Sequence, residues 1–321
     1  MRPAPDLLDR RLLWVTGKGG VGKSTVAAAL GLLAAERGQR VLLVEVDAKG
    51  NLTDSFERTP VGYSPAEVYP GISAMTMSTE GSLLEYLRIY LHIPFVGRIA
   101  PLARIVDFTA KATPGAKELL TTGKICFEVR KALDGHAPWD IVIVDALASG
   151  HVVAQLSAAQ AFQQVVQTGR IRSQVDWMSD ILSDPAITAV NIVVTPEEMP
   201  VAETVELVER IRTETTAPLG SIIVNRVLPE LFNRTEEAAF EALLRPEAAE
   251  VLDQELGVGA LRITQAARLA VSLRRTGAGH LASLRERVDL PLLYLPYVFA
   301  RAHGVRVTRL LAGELAGELG V

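Results

Sequence analysis

A glycine-rich segment near the N-terminus, GKGGVGKST at residues 17–25, is the part of the sequence best suited to chemistry. It fits the spacing G-x-x-x-x-G-K-[ST], in which glycines let successive backbone N–H groups turn toward phosphate oxygens. The segment predicts a phosphate-binding loop that consists of Gly17, Gly19, Gly20, Val21, Gly22, Lys23, Ser24 and Thr25. In such a loop the lysine reaches the β- and γ-phosphates of a nucleotide, and the serine hydroxyl ligates Mg²⁺. The threonine is expected near the α-phosphate.

A second group for the metal is expected at the end of a neighbouring strand. Asp145 directly follows the apolar run DIVIV at 140–144. A carboxylate in this position usually holds Mg²⁺ through a water molecule. The alternative is an aspartate that only caps the next turn. We predict that Ser24 and Asp145 face the same metal.

Short apolar runs alternate with longer helical patterns along the 321 residues, which is typical of a mostly parallel sheet covered by helices. Strands are predicted at 11–16, 41–46, 140–144, 189–195, 219–224 and 290–295. Helices are predicted at 24–37, 197–213, 259–278 and 304–319. The glycine-rich loop thus lies between the first strand and the first helix, where the positive end of the helix favours phosphate.

The pattern predicts one α/β domain over residues 1–321. Two regions, about 81–133 and 151–184, depart from simple alternation. They are interpreted as helical inserts, or as a helical layer above the sheet. Their apolar residues are either ordinary core, a dimer interface or a groove for an apolar partner.

Composition excludes several classes of function. The net charge of -4 argues against a general nucleic-acid binder, whose affinity comes from a basic face. Cys126 is the single cysteine, so one chain cannot form a disulfide framework, a CxxC zinc clasp or a cysteine-ligated iron–sulfur cluster. No secretory signal or membrane-spanning stretch is visible. We expect a cytoplasmic protein without a stable membrane anchor.

The loop carries a second lysine, Lys18, too early in the motif to share the pocket of Lys23. The form K-G-G-x-G-K-[ST] resembles the deviant Walker A motif of the dimeric P-loop ATPases. These include the arsenite-pump, tail-anchored-protein targeting, septum-placement and plasmid-partition ATPases and the nitrogenase iron protein. The resemblance implies a dimer closed over nucleotide, in which Lys18 reaches the phosphates bound by the other subunit. The alternative is a solvated surface lysine.

Two further segments resemble the arsenite-pump and tail-anchor-targeting branch of this group. The stretch DAKGNLTDSF at 47–56 is similar to the switch I pattern DPAHNLSDAF, and DALASGH at 145–151 is similar to the switch II pattern DTAPTGH. The resemblance assigns Asp47 to the water-activating aspartate beside the metal and Asn51 to the asparagine of switch I. The family's proline and histidine of switch I are replaced by Ala48 and Gly50.

Adenine contacts are implied farther along the chain. The resemblance assigns Asn225, after the run SIIV, to an adenine-contacting asparagine, and Pro296 to a second adenine-side loop with Val298 among its neighbours. The implied cofactors are ATP and Mg²⁺, without zinc or an iron–sulfur cluster. The implied function is an ATP-hydrolysing switch, a homodimer or a heterodimer with a paralogue, whose nucleotide cycle is coupled to a protein or apolar client.

Other members of the group provide alternatives. A septum-placement-type ATPase would hold a membrane through the C-terminal helix, but its polar face carries Glu314 and Glu318 instead of basic residues. A nucleotide-binding subunit of a paralogue pair, with little turnover, also stays open. The nitrogenase type is excluded by the cysteine count, and arsenite capture and DNA partition are disfavoured by the single cysteine and the acidic balance.

Overall fold

An eight-stranded sheet forms the centre of the chain, in a computed structural model that describes residues 7–47, 50–90, 115–136, 138–256, 258–299 and 304–321. The strands are β1 Leu12–Gly17, β2 Val41–Glu45, β3 Ala66–Tyr69, β4 Ile72–Thr76, β5 Ile141–Ala148, β6 Thr188–Val194, β7 Leu219–Val227 and β8 Leu292–Pro296. Their order is β3-β4-β2-β5-β1-β6-β7-β8. Neighbours from β4 to β8 pair in parallel, whereas β3 pairs antiparallel with β4. The predicted mostly parallel α/β sheet is confirmed.

Helices lie between and beside these strands. They are α1 Lys23–Glu36, α2 Asn51–Asp54, α3 Thr79–Tyr90, α4 Ala116–Leu133, α5 Ser149–Val165, α6 Arg170–Ser183, α7 Glu198–Glu214, α8 Arg234–Leu243, α9 Pro246–Leu256, α10 Val258–Arg287 and α11 Val305–Leu319. A short 3₁₀ turn, Leu7–Asp9, precedes β1. The four helices predicted from the sequence correspond to α1, α7, α10 and α11.

The central strands are buried on both faces, because successive side chains of a strand point to opposite sides. Leu12 and Trp14 of β1 pack into one core with residues of α4, α5, α6 and α7. Leu13 and Val15 pack into the other core with α1 and α11. Such strands are apolar throughout, which is why their positions could be read from the sequence.

Two strands were missed and two were predicted too short. Strand β7, predicted at 219–224, continues to Val227. Strands β3 and β4 form a hairpin at the sheet edge, and β3 is largely exposed, so it lacks the continuous apolar run that marked the others. The prediction that β5 ends at residue 144 is wrong, since the strand continues to Ala148. Asp145 therefore lies within the strand, where it pairs with Val15 on one side and Glu45 on the other.

The two regions predicted as inserts contain α3 and α4, and α5 and α6. Residues 91–114 of the first region lie outside the described part of the chain. Side chains of α4, α5 and α6, among them Ile125, Leu156 and Ile181, belong to the same core as the sheet. The helices thus form a layer above the sheet. That the regions are inserts, and that 1–321 is one domain, stays a prediction.

A buried ion cluster joins α3 to α4. Lys124 Nζ lies 2.7 Å from Glu85 Oε2 and 2.6 Å from Glu128 Oε1, and the Lys124 and Glu128 side chains are only 7% and 1% exposed. Burial alone would raise the pKa of Glu85, but hydrogen bonds from Lys124 and Tyr63 hold this pKa below its ordinary value. Lys131 Nζ lies 3.1 Å from Glu128 Oε1, so two lysines face the two glutamates. Removal of one partner would leave a buried charge without compensation, which is strongly destabilising.

None of the helices in the described ranges combines the length and the apolar character needed to cross a membrane.

Candidate nucleotide-binding site

The glycine-rich loop begins where β1 ends, at Gly17, and leads into α1 at Lys23. Gly17 has φ +141°, and a Cβ atom there would lie 2.2 Å from the carbonyl oxygen of Val193. Gly22 has φ +95°, and its Cβ would lie 2.4 Å from Asn225 Nδ2. Both positions therefore require glycine, because a side chain would meet strands β6 and β7 as well as an unfavourable backbone conformation.

An open cleft of about 730 Å³ lies over this loop at the carboxyl ends of the strands, the usual ligand position in such sheets. Ten predicted site residues line it: Gly19, Gly20, Gly22, Lys23, Ser24, Thr25, Asp47, Asn51, Asp145 and Val298. Five predicted residues lie outside this lining: Gly17, Lys18, Val21, Asn225 and Pro296. The fold thus gathers residues of the loop, both predicted switch aspartates and Val298, a predicted adenine-side residue, around one cleft.

Asp145 is the most buried acid of the cleft, at 6% exposure. Burial raises the pKa of its carboxyl group to about 6, opposed by a hydrogen bond with Ser24 and by the charge of Lys23. Its Oδ1 atom has no hydrogen-bond partner among the residues that the structure describes. A buried carboxylate oxygen without a partner, beside a serine hydroxyl, is suited to a metal-bound water.

The donor set fits Mg²⁺ completed by phosphate and water. Within the described part of the chain, no three His, Cys, Asp or Glu side chains gather as a metal cage. Mg²⁺ usually keeps several waters and binds through one or two protein groups plus substrate phosphates. The hydroxyl of Ser24 and the carboxylate of Asp145 are therefore sufficient protein groups for this ion.

The two lysines of the loop point to different neighbours. Lys23 Nζ donates a hydrogen bond to the backbone oxygen of Lys18 at 3.1 Å. Lys18 Nζ lies 2.5 Å from Glu203 Oε1 on α7, and the Lys18 side chain is 28% exposed. Within one chain, the Lys18 ammonium thus contacts α7, whereas the Lys23 ammonium contacts the backbone of the loop. Its action across a dimer interface stays a prediction.

Glu45 is a buried acid beside the cleft that the sequence analysis did not select. It is 3% exposed, and its carboxylate accepts hydrogen bonds from the backbone N–H groups of Gly50, at 3.1 Å, and Asn51, at 2.8 Å. The sequence did contain an indication of this residue, because Glu45 is the one charged residue in the apolar strand VLLVE. A charge in a buried strand needs polar partners, and these are the N–H groups after Asp47.

Asn225 lies beneath the loop, within β7. Its Nδ2 donates to the carbonyl oxygen of Val21 at 2.8 Å, and its Oδ1 accepts from the N–H of Arg226 at 2.9 Å. The bond to Val21 ties the loop to β7. The adenine contact of Asn225 stays a prediction.

The end of β8 carries the other predicted adenine-side residues. Pro296 is the last residue of the strand, and the following Tyr297 N–H donates to the carbonyl oxygen of Val227 at 2.8 Å. Tyr297 and Val298 line the cleft. The rings of Tyr297 and Phe299 pack with their centroids 4.6 Å apart. An apolar and aromatic edge is thus available for a base, whose binding here stays a prediction.

The start of α11 forms a wall of the cleft that the sequence did not reveal. Gly304, Val307 and Thr308 line the cleft, as do Asp54 and Ser55. Thr308 Oγ1 donates to the carbonyl oxygen of Ser55 at 3.1 Å. This contact joins segments far apart in the chain, and the pattern of α11 indicated only a helix that packs on the core.

The parallel sheet, the glycine-rich loop between β1 and α1, and the aspartate of the adjacent strand define a P-loop nucleotide-binding protein. The family described as anion-transporting ATPase matches residues 10–178 and 168–245. The chain therefore belongs to this family of ATPases. The resemblance indicated by the loop and the switches is confirmed at the level of the family.

Individual relatives agree with this assignment. ATPase BagA of Mycobacterium tuberculosis is 33% identical over 225 residues, which cover 68% of this chain and 66% of BagA. An arsenical pump-driving ATPase of Acidiphilium multivorum is 26% identical over 313 residues, which cover 88% of this chain and 52% of the relative. An ATPase ASNA1 homolog of Entamoeba dispar is 25% identical over 264 residues, 70% of this chain and 79% of that protein. The chain thus spans only part of each relative.

Proposed function

We propose that the chain binds ATP with Mg²⁺, hydrolyses the γ-phosphate within a two-fold dimer, and uses the nucleotide cycle to control the binding of a protein or apolar client. The observation that carries this proposal is the convergence of the phosphate loop, Ser24, Asp47 and the unpartnered Oδ1 of Asp145 on one cleft. Family membership supports the nucleotide and the reaction.

Hydrolysis of a phosphoanhydride depends mainly on positioning and on charge neutralisation. The N–H groups of the loop and the Lys23 ammonium would hold the β- and γ-phosphates. The Asp47 carboxylate would orient the attacking water and accept its proton. Bound Mg²⁺ would supply additional positive charge at the phosphate oxygens, held by Ser24 and, through water, by Asp145.

The remaining charge is proposed to come from a second subunit. Lys18 lies outside the cleft lining of its own chain, so it has no phosphate to neutralise there. A copy or a paralogue facing the loop would bring its own Lys18 to this cleft. One preorganised charge aimed at a transition state is typically worth about 10²–10³ in rate.

The client is proposed to be a protein or an apolar molecule, not arsenite. Cys126 is the only cysteine of the sequence and is fully buried. Burial raises the pKa of its thiol well above the ordinary value, so it does not offer the thiolate that metalloid capture needs. The altered nucleotide state would reach the client through the two predicted switch segments. They line the cleft at Asp47, Asn51, Asp54 and Ser55 and at Asp145 to Ala148.

Binding of ATP by this cleft can be tested with Lys23→Ala. Loss of a charge-assisted contact to phosphate, worth about 1.5–3 kcal/mol, is expected to weaken ATP affinity by about 10- to 100-fold. Affinity would be measured by titration calorimetry with ATP and Mg²⁺. Lys117→Ala, a change at an exposed position of α4 away from the cleft, is the matched control and should bind as wild type. Equal ATP affinity in Lys23→Ala and wild type would contradict the site.

A further inference from the structure

Glu45 binds the backbone that follows Asp47. It is the last residue of β2, and its two carboxylate oxygens receive the N–H groups of Gly50 and Asn51. On the other side, the N–H of Val46 donates to the carbonyl oxygen of Asp145 at 3.2 Å. The chain is therefore held to the sheet on both sides of Asp47, at Val46 through β5 and at Gly50 and Asn51 through Glu45.

The contacts of Glu45 are specific to this segment. Hydrogen bonds from N–H groups to a carboxylate are charge-assisted and stronger than those between neutral groups. They satisfy two backbone donors at the start of α2, where Gly50 turns the chain at φ +76°. An apolar residue at position 45 would suit the buried strand but would leave both N–H groups without this partner.

We propose that Glu45 is a positioning residue for hydrolysis. By holding the N–H groups of Gly50 and Asn51, it keeps the Asp47 carboxylate facing the water that attacks the γ-phosphate. The inference rests on the proposed function of the cleft. Glu45 acts through Asp47 and need not touch the nucleotide. A misplacement of about 1 Å at a reacting group can lower a rate by about 10²-fold, so a fixed loop is valuable for this reaction.

Two substitutions disturb the hydrogen bonds of Glu45 in different ways. Glu45→Gln keeps the size but turns an N–H group toward a backbone N–H, and Glu45→Asp keeps the charge but shortens the reach. Both are expected to lower kcat by about 10- to 100-fold with ADP affinity close to wild type, because ADP is held by the phosphate loop. Glu67→Gln, exposed on the edge strand β3, is the control and should keep the wild-type rate. Wild-type kcat in Glu45→Gln, or an equal loss of ADP affinity, would overturn the proposal.

A double-variant cycle distinguishes positioning from general support of the fold. If Glu45 acts through Asp47, then Glu45→Gln in an Asp47→Asn background should lower kcat little further. Losses that simply multiply would overturn the proposal, since they would assign Glu45 a separate role.

Hydrogen exchange tests the two hydrogen bonds that Glu45 accepts without a turnover assay. Amides of Gly50 and Asn51 should exchange slowly, and in Glu45→Gln they should exchange faster by at least about tenfold, as expected when a protecting contact is lost. Rapid exchange of these amides in the wild type would show that Glu45 does not hold them and would overturn the proposal. Absence of ATP hydrolysis by the wild type would contradict the proposed function, while the exchange result would still decide the contact.

Discussion

Asp47→Asn is expected to hydrolyse ATP about 10²- to 10⁴-fold more slowly than the wild type, the usual contribution of a positioned general base. The amide is nearly the same size as the carboxylate but cannot accept a proton from water. Affinity for ATP should be retained, because the phosphate loop and Ser24 are unchanged. Single-turnover phosphate release, with ATP binding measured in parallel, reports both quantities.

The control for this variant lies in the same cleft. Asp54, the last residue of α2, is exposed and lines the cleft. Asp54→Asn removes a negative charge of the same kind from the same space and is expected to keep most of the activity. Wild-type turnover in Asp47→Asn would refute the assignment of this residue, and equal losses in both variants would assign the effect to net charge.

Lys18→Ala is expected to lower the rate of hydrolysis by about 10²–10³, the typical cost of removing one preorganised charge from a transition state. The substitution leaves the backbone oxygen that accepts the hydrogen bond from Lys23, so the loop should keep its shape. ATP affinity should change little, since Lys18 lies outside the cleft lining of its own chain. Turnover and ATP binding would be measured at a protein concentration that favours the dimer.

Glu203→Gln provides the discriminating control for Lys18. Within one chain Lys18 pairs with Glu203, so a purely structural role for the lysine would depend on that ion pair. Glu203→Gln removes the pair but keeps the Lys18 charge, and is expected to retain most of the activity. If Glu203→Gln lost as much activity as Lys18→Ala, the lysine would act through α7 instead of on phosphate.

The phosphate loop and the central strands could be predicted because their signals are local in the sequence. Gly17 and Gly22 occupy positions where a side chain would collide with β6 and β7. The spacing of the glycines in the sequence therefore indicates the conformation of the loop. Strands covered on both faces are continuous apolar runs. Asp47 and Asp145 follow such runs, and the structure brings both into the cleft with Ser24.

The parts that the sequence did not reveal depend on contacts between distant segments. Thr308 at the start of α11 donates a hydrogen bond to Ser55, and no sequence motif links these two residues. Strand β5 extends past Asp145, where Ala148 pairs with Gly17 of β1, and the run DIVIV alone does not encode this pairing. Glu45 is a different case. A single acid in a buried apolar strand could be recognised from the sequence, but its partners, the N–H groups of Gly50 and Asn51, could not.

Mixing the Lys18→Ala and Asp47→Asn proteins tests the central claim, a site completed by two subunits. In a mixed dimer, the Lys18→Ala subunit keeps Asp47 and receives Lys18 from its partner, so one cleft is complete. After subunit exchange of equal amounts, confirmed with two different affinity tags, the activity should recover to about a quarter of wild type, because half of the dimers carry one complete cleft. Activity no higher than the average of the two variants measured separately, despite proven exchange, would contradict action of Lys18 across the interface.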